Sequence, residues 1–287
     1  MSKLLISLLL IVCFGISACG VSGAGISVST DIESAADPGA QSGFQTVAPK
    51  TRTLTVFAAA SLIDAFQEIG KAYEAIHPGV KINFSFAGSQ VLRTQLEQGA
   101  LTDIFASADH KNMDILIKDN LIASNSYQDF ATNRLAVVLP SNNPAGVKSL
   151  EDLARLNLKL ILADPSVPAG NYAQQILFNI SKDPEYGESF SSAVLANVLS
   201  YETDVKQVVT KVELGEADAG IVYVTDAFAA PDLVTIPISE KFNIIAQYPI
   251  AILTNSPNPY LAAGFISFIT SPDGQAIMEK WGFNPGQ

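Results

Sequence analysis

Two serines, Ser61 and Ser89, each follow a short apolar run and begin a segment in which apolar residues recur at helical spacing. The first N–H groups of a helix have no acceptor within the helix, so each junction combines unpaired N–H donors with a hydroxyl group. Such junctions bind anions. Each serine taken alone is also compatible with a simple N-cap that satisfies its own helix. Their occurrence in two consecutive strand–helix units favours a shared anion site.

A second group of candidate donors lies in the later half of the chain. Pro168-Ala169-Gly170 precedes one predicted helix, and Asp204 and Val205 precede another. Small residues at such positions let a ligand approach backbone N–H groups closely. Tyr223, near the end of a predicted strand, adds a phenol donor. The alternatives are ordinary loop structure around 168–170, an N-cap role for Asp204 and a core position for Tyr223.

Residue patterns typical of enzymes are absent from the sequence. The two histidines, His77 and His110, match no metal-binding spacing, and there is no GxSxG elbow, P-loop or GxGxxG motif. The two cysteines, Cys13 and Cys19, are too few for a Cys/His metal cage. We therefore predict no catalysis and no cofactor. A secreted serine hydrolase using Ser61 is the alternative from another class, and it would need a base close to that serine in space.

The candidate donors depend on strands and helices to position them, and the sequence predicts these in alternation. Strands are predicted over 54–57, 80–86, 103–106, 135–140, 158–164 and 220–224, with helical segments between them. This alternation predicts mostly parallel sheets covered by helices, with ligands at the carboxyl ends of the strands. A second series begins near Arg134, and the chain returns along 242–253. We therefore predict two lobes separated by a cleft, formed by 53–132 plus 247–287 and by 133–246.

The composition limits the class of partner. The chain has 287 residues, of which 48% are hydrophobic and 16% are charged, as expected for a globular protein with a substantial core. The net charge of -11 makes nucleic acids and anionic membrane surfaces poor candidate partners. A small anion would have to be held by local dipoles and not by the overall charge.

The N-terminus has the pattern of an exported lipoprotein. Lys3 precedes an apolar stretch of signal-peptide length, and Ile16-Ser17-Ala18-Cys19 resembles a bacterial lipoprotein cleavage site. We predict removal of residues 1–18, lipid on the Cys19 sulfur, and a flexible Gly/Ser-rich tether over 19–52. The mature protein would lie outside the cytoplasm, anchored to the cell membrane. An ordinary cleaved signal peptide with an incidental cysteine is the alternative.

Five stretches together resemble the molybdate-binding proteins of bacterial ABC importers. They are VFAAASL (56–62), FAGSQVLRTQLEQGALTDIFASAD (86–109), ADPSVPAGNYA (163–173), TDVKQVVTKVELGEADAGIVYVTDA (203–227) and YPIAI (248–252). The resemblance implies an α/β, two-lobe type II periplasmic-binding-protein fold, each lobe a mostly parallel sheet flanked by helices. It also implies that serine hydroxyls, main-chain N–H groups and a tyrosine hydroxyl hold the oxyanion in the cleft. By motif, these roles fall on Ser61, Ser89, Ala169, Val205 and Tyr223.

The resemblance implies molybdate, and with it tungstate, as the ligand that a monomeric receptor delivers to an ABC importer permease. Both anions are fully deprotonated near neutral pH and only accept hydrogen bonds, which suits a site made of neutral donors. Phosphate usually retains a proton that such a site leaves unmatched. Sulfate fits the hydrogen-bond pattern but is smaller, so cavity size would have to reject it. A receptor for sulfate or phosphate is the alternative within the class.

Overall fold

The computed structural model describes residues 51–286, and these residues form two β-sheets with helices packed against them. The predicted signal peptide, Cys19 and nearly all of the predicted tether lie outside the described residues. The strands are β1 Arg52–Ala59, β2 Val80–Ala87, β3 Ile104–Ala106, β4 Gln128–Asn133, β5 Leu135–Leu139, β6 Leu160–Ala163, β7 Val198–Glu202, β8 Ala219–Tyr223, β9 Val234–Pro237, β10 Ala246–Ile252 and β11 Asn284–Pro285.

Nine α-helices occur within residues 51–286, together with 3₁₀ turns at Ala60–Leu62 and Glu151–Ala154. The helices are α1 Ile63–Ile76, α2 Ser89–Glu97, α3 His110–Lys118, α4 Pro168–Ser181, α5 Phe190–Ala196, α6 Val205–Glu213, α7 Val224–Ala229, α8 Pro259–Ile269 and α9 Pro272–Lys280. No helix in this part of the chain has the length and apolar character needed to cross a bilayer.

The two sheets are mixed, whereas mostly parallel sheets were expected. The first sheet has the order β11-β4-β10-β3-β1-β2, and the second has the order β7-β6-β8-β5-β9. β1 pairs in parallel with β2 and β3, and β6 pairs in parallel with β7 and β8. The antiparallel pairs all involve β5 or β10 or the short β11. β4 leads into β5 of the other sheet, and β10 belongs to the return segment. Strands entered in this way are not restricted to parallel pairing by a crossover helix.

Helix α1 shows how the predicted apolar faces form the core. Phe66, Ile69 and Tyr73 recur at helical spacing in the sequence, and all three are buried against the first sheet. The Phe66 ring lies 5.6 Å from that of Phe130 on β4. In α6, the four valines at 205, 208, 209 and 212 are buried in the same way on the second sheet. Burial of such faces is the main stabilising contribution of amphipathic helices.

Several elements depart from the sequence-based boundaries. The helix expected to begin near Asn171 begins at Pro168, a residue favoured at the first helical position. Ser61 lies in a 3₁₀ turn that precedes α1, and Ser89 is the first residue of α2. The strands β4, β7 and β11 and the helices α5 and α7 were not expected. They are short, so their apolar residues complete too few turns or alternations to give a clear period.

Candidate functional site

All five residues predicted to bind the ligand line one pocket. The lining residues are Ala59, Ala60, Ser61, Gly88, Ser89, Ala108, Val167, Pro168, Ala169, Asp204, Val205 and Tyr223. Elements of both sheets contribute, since Ser61 and Ser89 follow strands of the first sheet and Ala169, Val205 and Tyr223 belong to elements on the second. The sequence therefore selected groups that the fold brings together.

The two serines are neighbours because their strands are. β1 and β2 pair in parallel with Ala59 opposite Ala87, so both strands end at the same edge of the sheet. Neither serine caps its helix: the N-cap positions of α1 and α2 are Leu62 and Gly88, and neither helix has a side-chain cap bond. The hydroxyl groups of Ser61 and Ser89 are thus available for other contacts.

Each serine hydroxyl has one protein partner. The Oγ atom of Ser89 accepts a hydrogen bond from the Ala108 N–H group at 3.0 Å, which leaves its own proton to be donated elsewhere. The Oγ atom of Ser61 lies 3.0 Å from the hydroxyl of Tyr248. Both serines are buried, at 5% and 1% exposure, so the donors face the pocket and not bulk water.

Backbone donors come from the first turns of α4 and α6. Pro168 occupies the first position of α4 and has no N–H group, so the first free donor is that of Ala169. Gly170 allows this turn to lie close to β6, because a Cβ atom there would be 2.2 Å from the Asp164 carbonyl oxygen. In α6, the Asp204 carboxylate caps the helix by accepting from the Gln207 N–H at 3.1 Å. The Asp204 cap alternative is therefore confirmed, and the Val205 N–H group remains free of an intrahelical acceptor.

The Tyr223 hydroxyl is the buried side-chain polar group of the lining residues that has no partner. Tyr223 ends β8 and is 1% exposed, and no hydrogen bond joins its hydroxyl to any residue of the described chain. A buried polar group left unpaired costs about 1–3 kcal/mol. Burial also raises the pKa of Tyr223 well above its ordinary value, so the phenol keeps its proton. This group is therefore an unused donor on a residue that lines the pocket.

No lysine or arginine is among the lining residues, and Asp204 is the one acidic residue among them. The pocket therefore offers neutral O–H and N–H donors with two helix N-termini beside them. Neither histidine lines it: His77 contacts the Tyr73 carbonyl oxygen, and His110 contacts Asp129. Ser61 consequently has no histidine base, and no cluster of metal-ligating side chains occurs within residues 51–286.

Two polar contacts, Gln90 with Thr203 and Lys206 with Asp64, join helices α2 and α1 of the first sheet to α6 and the residues just before it. The Gln90 Nε2 atom on α2 donates to the Thr203 carbonyl oxygen at 2.8 Å. The Lys206 ammonium on α6 donates to Asp64 on α1 at 2.8 Å and forms an ion pair with Asp226 on α7 at 3.1 Å. These contacts hold the two sides of the pocket together.

The two members of the Lys206–Asp226 ion pair are buried to different extents. Asp226 is completely buried, and burial raises its pKa to about 6 despite the nearby ammonium. Lys206 is less buried and faces two carboxylates. Although burial lowers its pKa, the attraction of Asp226 and Asp64 is greater and leaves it raised. Lys206 therefore stays charged at neutral pH, and Asp226 is the member of the pair that titrates in mildly acidic solution.

Sequence reasoning missed two residues behind the pocket, Tyr248 and Asn133. Tyr248 contacts Ser61 from 187 positions away in the chain, and the Asn133 Nδ2 atom lies 3.4 Å from the Tyr248 hydroxyl. Tyr248 does belong to one of the five stretches that carry the family resemblance. Nothing in its position along the chain, however, indicates a contact with Ser61.

Comparison with known proteins gives consistent matches over the described residues. A family model for bacterial extracellular solute-binding proteins matches residues 54–284. The molybdate-binding protein ModA of Mycobacterium tuberculosis is 39% identical over 233 residues, which cover 81% of this chain and 84% of that protein. The putative ABC transporter substrate-binding lipoprotein YvgL of Bacillus subtilis is 33% identical over 245 residues, covering 82% of this chain and 87% of that protein. The periplasmic molybdate-binding protein of Azotobacter vinelandii superposes with a TM-score of 0.69 at 20% identity, covering 82% of this chain and 100% of that chain.

The chain belongs to the bacterial extracellular solute-binding proteins. Its relatives are solute-binding proteins and not enzymes, which confirms the prediction of a binding protein. The structural similarity confirms the two-lobe periplasmic-binding-protein fold. Family membership also supports the predicted location outside the cytoplasm.

Replacement of Asp226 by asparagine should show how burial of this carboxyl group changes the pH dependence of the unfolding free energy. Because its pKa is raised from 3.8 to about 6, the folded state binds the proton more tightly than the unfolded state between these values. The unfolding free energy of the wild type should therefore fall relative to Asp226→Asn as pH rises from about 4 to about 6. The relative loss should be at most about 3 kcal/mol, at about 1.4 kcal/mol per pKa unit.

Urea unfolding at several pH values measures this difference. Asp232→Asn, at an exposed position on the loop after α7, is the control and should follow the wild-type profile. A wild-type unfolding free energy that stayed constant or rose relative to that of Asp226→Asn between about pH 4 and pH 6 would contradict the assignment.

Proposed function

We propose that this protein captures molybdate, and also tungstate, outside the cytoplasm and delivers it to the permease of an ABC importer. The observation that carries the proposal is the buried, unpartnered hydroxyl of Tyr223 in a pocket of neutral donors. The names of the M. tuberculosis and A. vinelandii proteins support the choice of oxyanion. The ligand would accept from Ser61 and Ser89 on one side and from Ala169, Val205 and Tyr223 on the other.

The chemistry of the donors favours an anion without protons. The Ser89 Oγ atom already accepts from the Ala108 N–H group, and the phenol of Tyr223 and the backbone N–H groups donate. Each hydrogen bond to a charged acceptor contributes about 1.5–3 kcal/mol net. Molybdate, tungstate and sulfate offer only acceptor oxygens. Hydrogen phosphate would place its O–H against groups that also donate.

Binding would couple to closure of the cleft, because the donors lie on both sides of the pocket. An anion held between them links the first sheet to the second, in the manner of hinge closure around a ligand. The contacts of Gln90 with Thr203 and of Lys206 with Asp64 would add to the closed state. We propose lobe boundaries at 53–132 plus 247–287 and at 133–246, and a monomeric receptor.

The mature protein would be tethered by lipid on Cys19. The lipoprotein-like sequence around this cysteine supports the proposal, and the B. subtilis relative is itself described as a lipoprotein. The segment from Cys19 to residue 52 would give the receptor reach between the membrane and the permease.

A series of thermal unfolding measurements with four oxyanions tests the ligand. Molybdate and tungstate should each raise the melting temperature, since a ligand at 100 times its Kd adds about 2.7 kcal/mol to the stability of the folded state. Sulfate and phosphate at the same concentrations should have much smaller effects. Stabilisation by sulfate or phosphate with none by molybdate would contradict the choice of molybdate and indicate a receptor for the other oxyanion.

The variant Tyr223→Phe tests whether the unpaired phenol serves the ligand. Molybdate affinity measured by calorimetry should fall about 10-fold to 100-fold, as expected for loss of one charge-assisted hydrogen bond. The ligand-free melting temperature should stay the same or rise, because the hydroxyl has no partner in the protein. Tyr201→Phe, on the exposed edge strand β7, is the control. A fall in ligand-free stability with unchanged affinity would instead assign the hydroxyl a structural role.

The variant Cys19→Ser tests the lipid anchor. In a bacterial host, the wild type should fractionate with membranes and incorporate labelled fatty acid, whereas Cys19→Ser should do neither. Cys13→Ser is the matched control, since this residue lies in the predicted signal peptide and should leave anchoring unchanged. A wild-type protein found in the soluble extracytoplasmic fraction would favour an ordinary cleaved signal peptide.

A further inference from the structure

A chain of three buried polar groups leads from the interior to the pocket. Tyr248 on β10 is fully buried, and its hydroxyl has two neighbours. The Ser61 Oγ atom lies at 3.0 Å, and the Asn133 Nδ2 atom at the end of β4 lies at 3.4 Å. Of these groups, only the Ser61 hydroxyl belongs to a residue that lines the pocket.

The orientation of the Asn133 amide sets the direction of the chain. Its Oδ1 atom accepts from the Arg134 N–H group at 2.9 Å, so its Nδ2 atom faces the other way. That nitrogen donates to the Thr225 hydroxyl at 2.8 Å and to the Tyr248 hydroxyl. An amide nitrogen only donates, so the Tyr248 oxygen is an acceptor in this contact.

The Tyr248 proton then has one place to go. The Tyr248 oxygen accepts from Asn133, and the Ser61 Oγ atom is the other polar atom within hydrogen-bond distance of it, so we assign the proton of the Ser61–Tyr248 contact to Tyr248. Ser61 therefore accepts on its inner side, and its own proton is left for the pocket. Ser89 reaches the same state by accepting from the Ala108 N–H group. The two serines differ only in their donor, which is a side-chain hydroxyl group for Ser61 and a backbone N–H group for Ser89.

Aromatic packing fixes the position of this phenol. The Tyr248 ring makes edge contacts with Phe283, Tyr223 and Phe130, with centroid distances of 5.4, 5.8 and 6.3 Å. These rings belong to different elements, so the ring has little freedom to turn away from Ser61. Burial also raises the pKa of Tyr248 far above its ordinary value, and the group remains a donor at any physiological pH.

We propose that Tyr248 is a positioning and specificity-determining residue that acts through Ser61. This role rests on the proposed oxyanion function. By holding Ser61 as a donor, it makes this side of the pocket reject oxyanions that carry a proton. Without it, the Ser61 hydroxyl is free to rotate and accept from the O–H of hydrogen phosphate or hydrogen arsenate. The rejection of a wrong ligand would thus come from a residue that does not touch it.

The variant Tyr248→Phe tests this role by calorimetry at about pH 8, where molybdate, sulfate and hydrogen phosphate are all dianions. Molybdate affinity should fall about 10-fold, and the ratio of molybdate to hydrogen phosphate affinity should fall at least as much. Tyr73→Phe removes the hydroxyl of another buried tyrosine outside the pocket and should leave the ratio unchanged. An unchanged ratio in Tyr248→Phe would overturn the proposal.

A double-mutant cycle with Ser61→Ala separates positioning from general packing. If Tyr248 acts through Ser61, adding Tyr248→Phe to Ser61→Ala should change molybdate affinity less than about twofold. Additive losses would indicate that the phenol acts elsewhere and would overturn the assignment. If Tyr248→Phe proves unstable, Asn133→Asp gives a second test. Its carboxylate turns the phenol proton away from Ser61, and its added charge affects the two dianions equally, so the affinity ratio should again fall.

The behaviour of the wild type distinguishes a failure of the Tyr248 role from a failure of the proposed function. A wild type that binds sulfate and not molybdate would refute the ligand, and the same ratios measured with sulfate would still decide the role of Tyr248. A wild type that binds no oxyanion would overturn both proposals.

Discussion

The structure depends on the need to give every buried polar group a partner. In the pocket, other groups of the protein provide only some of these partners. The Ser89 oxygen accepts from the Ala108 N–H group and the Ser61 oxygen contacts the Tyr248 hydroxyl, while the Tyr223 hydroxyl and the first N–H groups of α4 and α6 are left without protein acceptors. A pocket of unpaired donors is costly when empty, and an anion with only acceptor oxygens removes that cost.

The arrangement also explains how a protein of net charge -11 can hold a small anion. The lining contains no cationic side chain, and Lys206 is engaged by Asp64 and Asp226 outside it. Attraction for the proposed anion would therefore come from short-range dipoles of hydroxyl groups, N–H groups and helix N-termini. Such dipoles are directional, so a ligand would be selected by its hydrogen-bond pattern as well as by its charge.

The donors converge on one pocket because strand and helix ends of both sheets meet there. β1 and β2 end side by side on one sheet, and α4, α6 and β8 present their ends on the other. The strands that join the sheets are the antiparallel ones, and they place Asn133 and Tyr248 directly behind the pocket. The connections between the lobes thus do more than link them, since they also carry the groups that orient the Ser61 hydroxyl.

The sequence by itself determined the strand–helix junctions, the apolar faces of α1 and α6 and the five pocket residues. These are local features: a hydroxyl or small residue at the start of a helix can be recognised from its immediate neighbours. The resemblance to a known family added which junctions belong to one site.

Only the tertiary structure decided the direction of each hydrogen bond. The contact between Ser61 and Tyr248 spans 187 positions, and the unpaired state of Tyr223 depends on everything that packs around it. The mixed pairing of the sheets was decided at the same level, because the orientation of β5 and β10 follows from how the chain passes between lobes. Donor direction and strand direction are set by neighbours distant in the chain, and local sequence carries no record of them.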